Sequence, residues 1–148
     1  MATTYLEDLA VGESITIGEW PISKAECVAF AEAWEPQPYH VSEVEACSSI
    51  HGRLTVCSLY LFAICTRLFF DYEKPLAVLA MLGKDEIVLP NPAYPGDRLI
   101  YHTRCTDKRP SGSRPGTGLV ALDDTLLTES GRLVLSQKVK LLLAQRPA

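Results

Sequence analysis

The sequence predicts an α+β fold, with an antiparallel sheet packed around one long, very apolar helix. Three observations lead there. The run from Leu54 to Phe70 is apolar on nearly every face, which is the pattern of a helix enclosed by other structure. The C-terminal half alternates apolar and polar residues in segments parted by turn residues, as antiparallel strands do. The N-terminal half carries two Ser-x-x-Glu capping boxes, Ser23 to Glu26 and Ser42 to Glu45, and each marks the start of a helix.

In chain order, Leu6 to Gly12 reads as a lead-in loop. Ser14 to Trp20 is a strand, with Ile15 and Ile17 set against Thr16 and Gly18, and Pro21 breaks it. A helix runs from Lys24 to about Trp34. Cys27, Phe30, Ala31 and Trp34 form its apolar stripe, and Pro36 stops it. A short helix from the second capping box reaches about Ser48, and Ile50-His51-Gly52-Arg53 is a break. The apolar run then predicts a fully buried central helix. It is short for a membrane span and contains Arg67, which needs a partner or an exit to solvent. Leu76 to Leu82 and Asp85 to Leu89 are short strands near Gly83. Pro90 to Asp97 is an irregular loop and turn, and Arg98 to Asp107 is a strand. Lys108 to Gly118, rich in Pro, Gly and Ser, is a loop. Leu119 to Thr128 and Leu133 to Leu143 are strands joined by Glu129-Ser130-Gly131. A lone sheet leaves an exposed edge, so pairing with a second copy is expected.

The 148 residues suit one domain, 1–148, with a sizeable core. Apolar residues make up 47% and charged residues 22%, an ordinary globular balance. A net charge of −4 points to neither a nucleic-acid partner nor an anionic membrane. The five cysteines are odd in number and no pair shows Cys-x-x-Cys spacing. With no basic, apolar leader, free thiols in the cytoplasm are expected rather than a disulfide framework. The three histidines are not set in ligand pairs with the cysteines, so no metal site is expected.

The segment Trp34-Glu35-Pro36-Gln37-Pro38-Tyr39-His40 stands out. Each proline fixes its own φ and pushes the residue before it toward an extended shape, so Glu35 and Gln37 are expected to be held extended. A rigid segment with a carboxylate and an imidazole at its ends suits proton transfer. From spacing alone it reads equally as a Pro-rich turn with a surface Glu and an unrelated His.

Three segments in order resemble the MaoC-like dehydratases, relatives of the (R)-specific enoyl-CoA hydratases. Glu35-Pro36-Gln37-Pro38-Tyr39-His40 is similar to the family's Asp-x-(Asn/Gln)-Pro-x-His hydratase motif. Pro92-Ala93-Tyr94-Pro95-Gly96-Asp97-Arg98-Leu99 is similar to its proline-then-Gly-Asp strand start. Asp107-Lys108-Arg109-Pro110-Ser111-Gly112-Ser113-Arg114-Pro115 is similar to its Lys-Arg-Pro-Ser loop. The resemblance covers almost the whole chain. It implies a hot-dog fold, a sheet wrapped round one long helix, assembled as a homodimer or a dimer of dimers. It also implies hydration of a trans-2-enoyl thioester and the reverse dehydration of a 3-hydroxyacyl thioester, on coenzyme A or an acyl carrier, without a cofactor.

The resemblance assigns Glu35 and His40 as the pair that holds a water. It places Gln37, Val56, Cys57 and Ser58 around the substrate, with the Cys57 N–H as donor to the enolate oxygen. Two positions depart from the family pattern: Glu35 stands where the family has Asp, and Cys57 stands where it has Gly. Lys108, Arg109 and Arg114 face coenzyme A phosphates or form a solvated loop. Cys57 is not expected to be a nucleophile, since no basic partner is evident. His51 reads as a turn residue, and His102 has no assigned role. The two departures motivate a second reading, a non-catalytic acyl-thioester binder. A thioesterase ranks third.

Overall fold

The computed structural model describes residues 2–148. Among them, five strands form one antiparallel sheet. They are β1 (Ser14–Pro21), β2 (Val78–Val88), β3 (Arg98–Pro110), β4 (Thr117–Thr128) and β5 (Leu133–Ala144), in the spatial order β1-β3-β4-β5-β2. β3, β4 and β5 follow one another as hairpins, while β1 and β2 take the two edges. The helices are α1 (Lys24–Trp34), α2 (Pro38–Val41), α3 (Glu43–Cys47) and α4 (Ser58–Asp71).

The sheet's inner face follows from the period-2 pattern. Leu99, Tyr101, Thr103 and Cys105 are buried along β3, and Val120, Leu122, Asp124 and Leu126 along β4. α4 lies against this face and buries Tyr60, Leu61, Ile64, Cys65 and Leu68. One core cluster joins α4 and α1 to the start of β3, the end of β4 and the start of β5. A second fills the other end of the sheet, where Leu6 and Leu9 meet Cys105, Val120 and Leu143.

The central helix differs from the expectation in two ways. It starts at Ser58, because Leu54 to Cys57 is extended chain. It is also buried on one side only: Phe70 is 76% exposed and Leu59 44% exposed. Arg67 lies on the outer side, paired with Asp71 at 2.7 Å. On α1, Ser23 accepts from the Glu26 N–H as expected. The Trp34 end of the apolar stripe projects into solvent at 70% exposure, because it is the helix's last residue and has passed beyond its packing partners.

Two strand boundaries are also corrected. The two short strands around Gly83 are one strand, β2, whose pairing with β5 slips at three places. Those bulges break the alternation without ending the ladder, and Glu86 takes a positive φ of 48° at one of them. The loop expected at 108–118 is shorter: 111–116 is loop and turn, and both ends belong to the ladder. Lys108, Arg109 and Pro110 pair with Val120, Leu119 and Gly118, so tertiary pairing overrides the local turn signals, and Pro110 is tolerated at the strand end.

Gly118 sits where the 3-10 turn Leu6–Asp8 covers the sheet. A Cβ there would lie 2.9 Å from the Arg109 carbonyl oxygen and closer still to the Leu6 side chain. Gly118→Ala is therefore expected to destabilise the fold by about 1–3 kcal/mol, read as a lower midpoint in urea unfolding. An unchanged midpoint would mean that this end of the sheet repacks freely.

Candidate active site

The acid–imidazole segment is built by two successive helix ends. α1 stops at Glu35, whose N–H donates to the Ala31 carbonyl at 2.8 Å. Gln37 is extended, with φ −63° and ψ 139°. Pro38 then opens the single turn α2 instead of prolonging an extended loop. Its fixed φ and missing N–H suit a first helical position. Gln37 bridges the two ends through its backbone: its N–H donates to the Glu35 carbonyl at 2.8 Å, and its carbonyl accepts from the His40 N–H at 2.9 Å. Its side chain is exposed.

This turn carries His40 inward until only 7% of it is exposed. The ring's Nδ1 lies 2.8 Å from the Thr55 carbonyl oxygen and 3.2 Å from the Thr55 hydroxyl. A carbonyl can only accept, so Nδ1 carries a proton. In the neutral ring Nε2 is then left with its lone pair, and Nε2 faces Glu35 Oε1 at 3.9 Å. That gap is too long for a direct hydrogen bond, and a water within ordinary reach of both atoms fits across it. The second carboxylate oxygen, Oε2, is buried and has no hydrogen-bond partner among the described residues. A buried acceptor without a donor is costly unless a water or ligand supplies one.

The floor of the site is the extended segment Leu54 to Cys57. Its Thr55 N–H donates to the Tyr39 carbonyl at 3.1 Å, and its Val56 N–H to the Ala93 carbonyl at 2.9 Å. These bonds stitch the segment between α2 and the Pro92 to Leu99 loop. Asp97 holds that loop by accepting from the Tyr94 N–H at 2.9 Å and from Arg132 at 3.0 Å. Gly96 turns it with a φ of +93°, which glycine adopts without strain. The segment delivers Cys57 as the N-cap of α4. The first N–H groups of a helix have no intrahelical acceptor, so this end offers donors to a developing negative charge.

The Cys57 side chain sets its thiol close to the backbone N–H groups of this same helix end. It is fully buried, in the same core cluster as Cys27 and Tyr60. Burial pushes its thiol up, and the nearby Glu35 carboxylate adds to the shift. A thiol that holds its proton is not a nucleophile.

The structure therefore brings Glu35, His40 and the Cys57 N-cap together, with Ser58 half-buried beside them. Val56 contributes its backbone, since its side chain is in the core. It does not bring the basic hairpin to this place. Lys108 Nζ donates to the Leu6 and Glu7 carbonyls at 2.9 and 3.3 Å. Arg109 and Arg114 are exposed; Arg109 lies about 30 Å along β3 from the core residue Leu99, and Arg114 is in the turn beyond the strand. His51 packs at a tilt on Tyr39, with ring centroids 5.3 Å apart, and Tyr39 meets the His40 ring edge-on at 4.5 Å. Sequence reasoning missed Thr55, which orients the imidazole. Inside an apolar run it looked like a helix interior residue.

A family profile described as the FAS1-like, dehydratase domain region matches residues 9–137. A solved structure of the MaoC-like dehydratase from Rhodospirillum rubrum superposes with a TM-score of 0.90 at 33% identity, covering 98% of this chain and 99% of that one. The chain belongs to the MaoC-like dehydratase family. Two more distant structures share the hot-dog fold. The (R)-hydratase PhaJ1 from Pseudomonas aeruginosa has a TM-score of 0.79 at 15% identity, over 96% of this chain and 86% of that one. The (R)-hydratase from A. caviae involved in PHA biosynthesis has a TM-score of 0.72 at 19% identity, over 95% and 99%. No curated protein matches. Among the described residues, no helix of this MaoC-like chain is long and apolar enough to cross a membrane.

Proposed function

We propose that this MaoC-like chain adds water to a trans-2-enoyl thioester and removes it from the 3-hydroxyacyl thioester. The observation that carries the reading is the 3.9 Å gap between His40 Nε2 and Glu35 Oε1, beside the buried, partnerless Glu35 Oε2. In this reading a water in that gap donates one hydrogen to the Glu35 carboxylate and the other to Nε2. Its oxygen bonds to C3 of the enoyl group as Nε2 takes the proton. The electron pair of the double bond moves into the thioester carbonyl, and the N-terminus of α4 holds the enolate oxygen. The enolate then collapses, and C2 takes the proton back from Nε2. Glu35 orients the water and balances the transient imidazolium.

The test follows crotonyl-CoA for loss of the conjugated enoyl absorbance and for release of free thiol. Hydration predicts the first without the second. Thiol release would instead support a thioesterase, and binding without either would support a non-catalytic thioester binder.

The site is proposed to work in a homodimer. β2 is an edge strand with Leu79 55%, Met81 54% and Leu82 53% exposed, and such an edge invites a second strand. Two neighbours in the fold are themselves complexes, HadBC and ChsH1–ChsH2 from Mycobacterium tuberculosis. In this arrangement Arg109 and Arg114 meet the phosphates of coenzyme A from a neighbouring copy. The double variant Leu79→Glu, Leu82→Glu is expected to shift the mass in light scattering from two chains to one. A single-chain mass for the unaltered protein would overturn this arrangement.

A further inference from the structure

A second polar site lies two turns along α4 from the helix N-terminus, and the mechanism does not use it. A cavity of about 70 Å³ opens between α4, β2 and the inner face of the sheet. That is several times the space one water needs. Most of its wall is apolar, with Phe69, Leu122, Val139 and Leu141 among the lining residues. Polar side chains interrupt it, among them Asp124 and Gln137, each 4% exposed, with Thr66, Lys84 and Tyr101. Asp124 accepts from the Thr103 hydroxyl at 2.8 Å and from the Gln137 amide at 2.9 Å. The donation fixes the amide's orientation and turns Gln137 Oε1 outward. That oxygen is buried and has no donor among the described residues. Burial pushes the Asp124 carboxyl up despite the hydrogen bonds from Gln137, Thr103 and Tyr101 and the nearby Lys84 ammonium. A polar group in so apolar a place calls for a function or a partner.

The cavity and the proposed site lie along the same helix, α4. Ser58, Phe62 and Thr66 are spaced four residues apart on one side of α4, half-buried or exposed, and Thr66 and Cys65 line the cavity. Ser58 to Cys65 spans about 10 Å of helix, roughly eight bonds of extended chain. Lys84 stands over the Phe62 ring at 5.0 Å and also lines the cavity.

We propose that the cavity receives the far end of a medium-length acyl chain that terminates in a hydroxyl group. This rests on the hydratase reading above and names its substrate class. A hydroxyl can donate to Gln137 Oε1 and accept from the Lys84 ammonium. A terminal carboxylate has no hydrogen to give Gln137 Oε1, and a terminal ammonium has no lone pair to accept from Lys84. A terminal methyl would leave Gln137 Oε1 without a donor.

The experiment compares two 2-enoyl-CoA substrates of roughly that length, one ending in a hydroxymethyl group and its isostere ending in an ethyl group. Preference is read as the ratio of kcat/KM and, independently of turnover, as the ratio of dissociation constants by calorimetry. The hydroxyl-ended chain is expected to be favoured by at least about tenfold in both. Gln137→Met is expected to bring both ratios to one or below. Asp124→Asn, which keeps the shape but frees the Gln137 amide to turn, is expected to lower them. A ratio at or below one in the unaltered protein overturns the proposal, and so does an unchanged ratio in a folded Gln137→Met variant. A binding preference with no hydration of either substrate or of crotonyl-CoA supports the cavity assignment while overturning the hydratase reading. Hydration of crotonyl-CoA with no preference overturns the cavity assignment alone.

Discussion

Replacing His40 with alanine is expected to slow hydration of crotonyl-CoA by about a thousandfold, within the range for loss of a general base. The expectation follows from how the ring is held. The Thr55 carbonyl fixes the proton on Nδ1 at 2.8 Å, which leaves Nε2 as the basic atom facing Glu35. In the variant the Glu35 carboxylate can still orient a water, but nothing takes its proton. The substitution also leaves the Thr55 hydroxyl and carbonyl without their buried partner, at about 1–3 kcal/mol of stability. Thermal denaturation separates the two effects. A folded variant whose kcat falls while substrate binding persists supports the assignment. A folded variant with full activity contradicts it.

The second large effect is at Glu35, where two substitutions make different demands. Glu35→Gln keeps the length and removes the charge. It is expected to lower kcat by about a hundredfold, because the transient imidazolium loses its counter-charge. Glu35→Asp keeps the charge and restores the acid that the family motif carries. It is nonetheless expected to lower kcat by about a hundredfold, since the carboxylate retracts by about 1 Å from a gap already 3.9 Å wide. Steady-state kinetics on folded variants reads both. A sharp gain in Glu35→Asp would show that the longer side chain is a handicap in this chain. An intact rate in Glu35→Gln would remove Glu35 from the mechanism.

What was legible in the sequence was set by local rules. α1 begins after Ser23 because a side-chain oxygen there can cap Glu26, and it ends at Trp34 because Pro36 cannot continue it. The alternation in β3, β4 and β5 gave the sheet's inner face, since each strand is covered on one side only. The Glu35–His40 pair stood out through the prolines that frame it. What was not legible depends on distant partners. Pro38 looks like a breaker, yet at the first position of a turn it starts α2. Nothing local separates Leu54 to Cys57 from the helix that follows. Its extended shape comes from bonds to Tyr39 and Ala93. The Thr55 contact with His40 spans fifteen positions, and Lys108 finds its acceptors about a hundred residues away. β2 hid its continuity because an edge strand tolerates bulges that erase the period.

The central claim is that Glu35 and His40 share one water, or the hydroxyl derived from it, in front of a thioester anchored at the N-terminus of α4. A crystal structure with a bound 3-hydroxyacyl-CoA tests this most directly. The predicted result places the 3-hydroxyl within hydrogen-bond distance of both His40 Nε2 and the Glu35 carboxylate, with the thioester oxygen on the N–H of Cys57. A thioester bound elsewhere, or a hydroxyl that contacts neither side chain, would contradict the account.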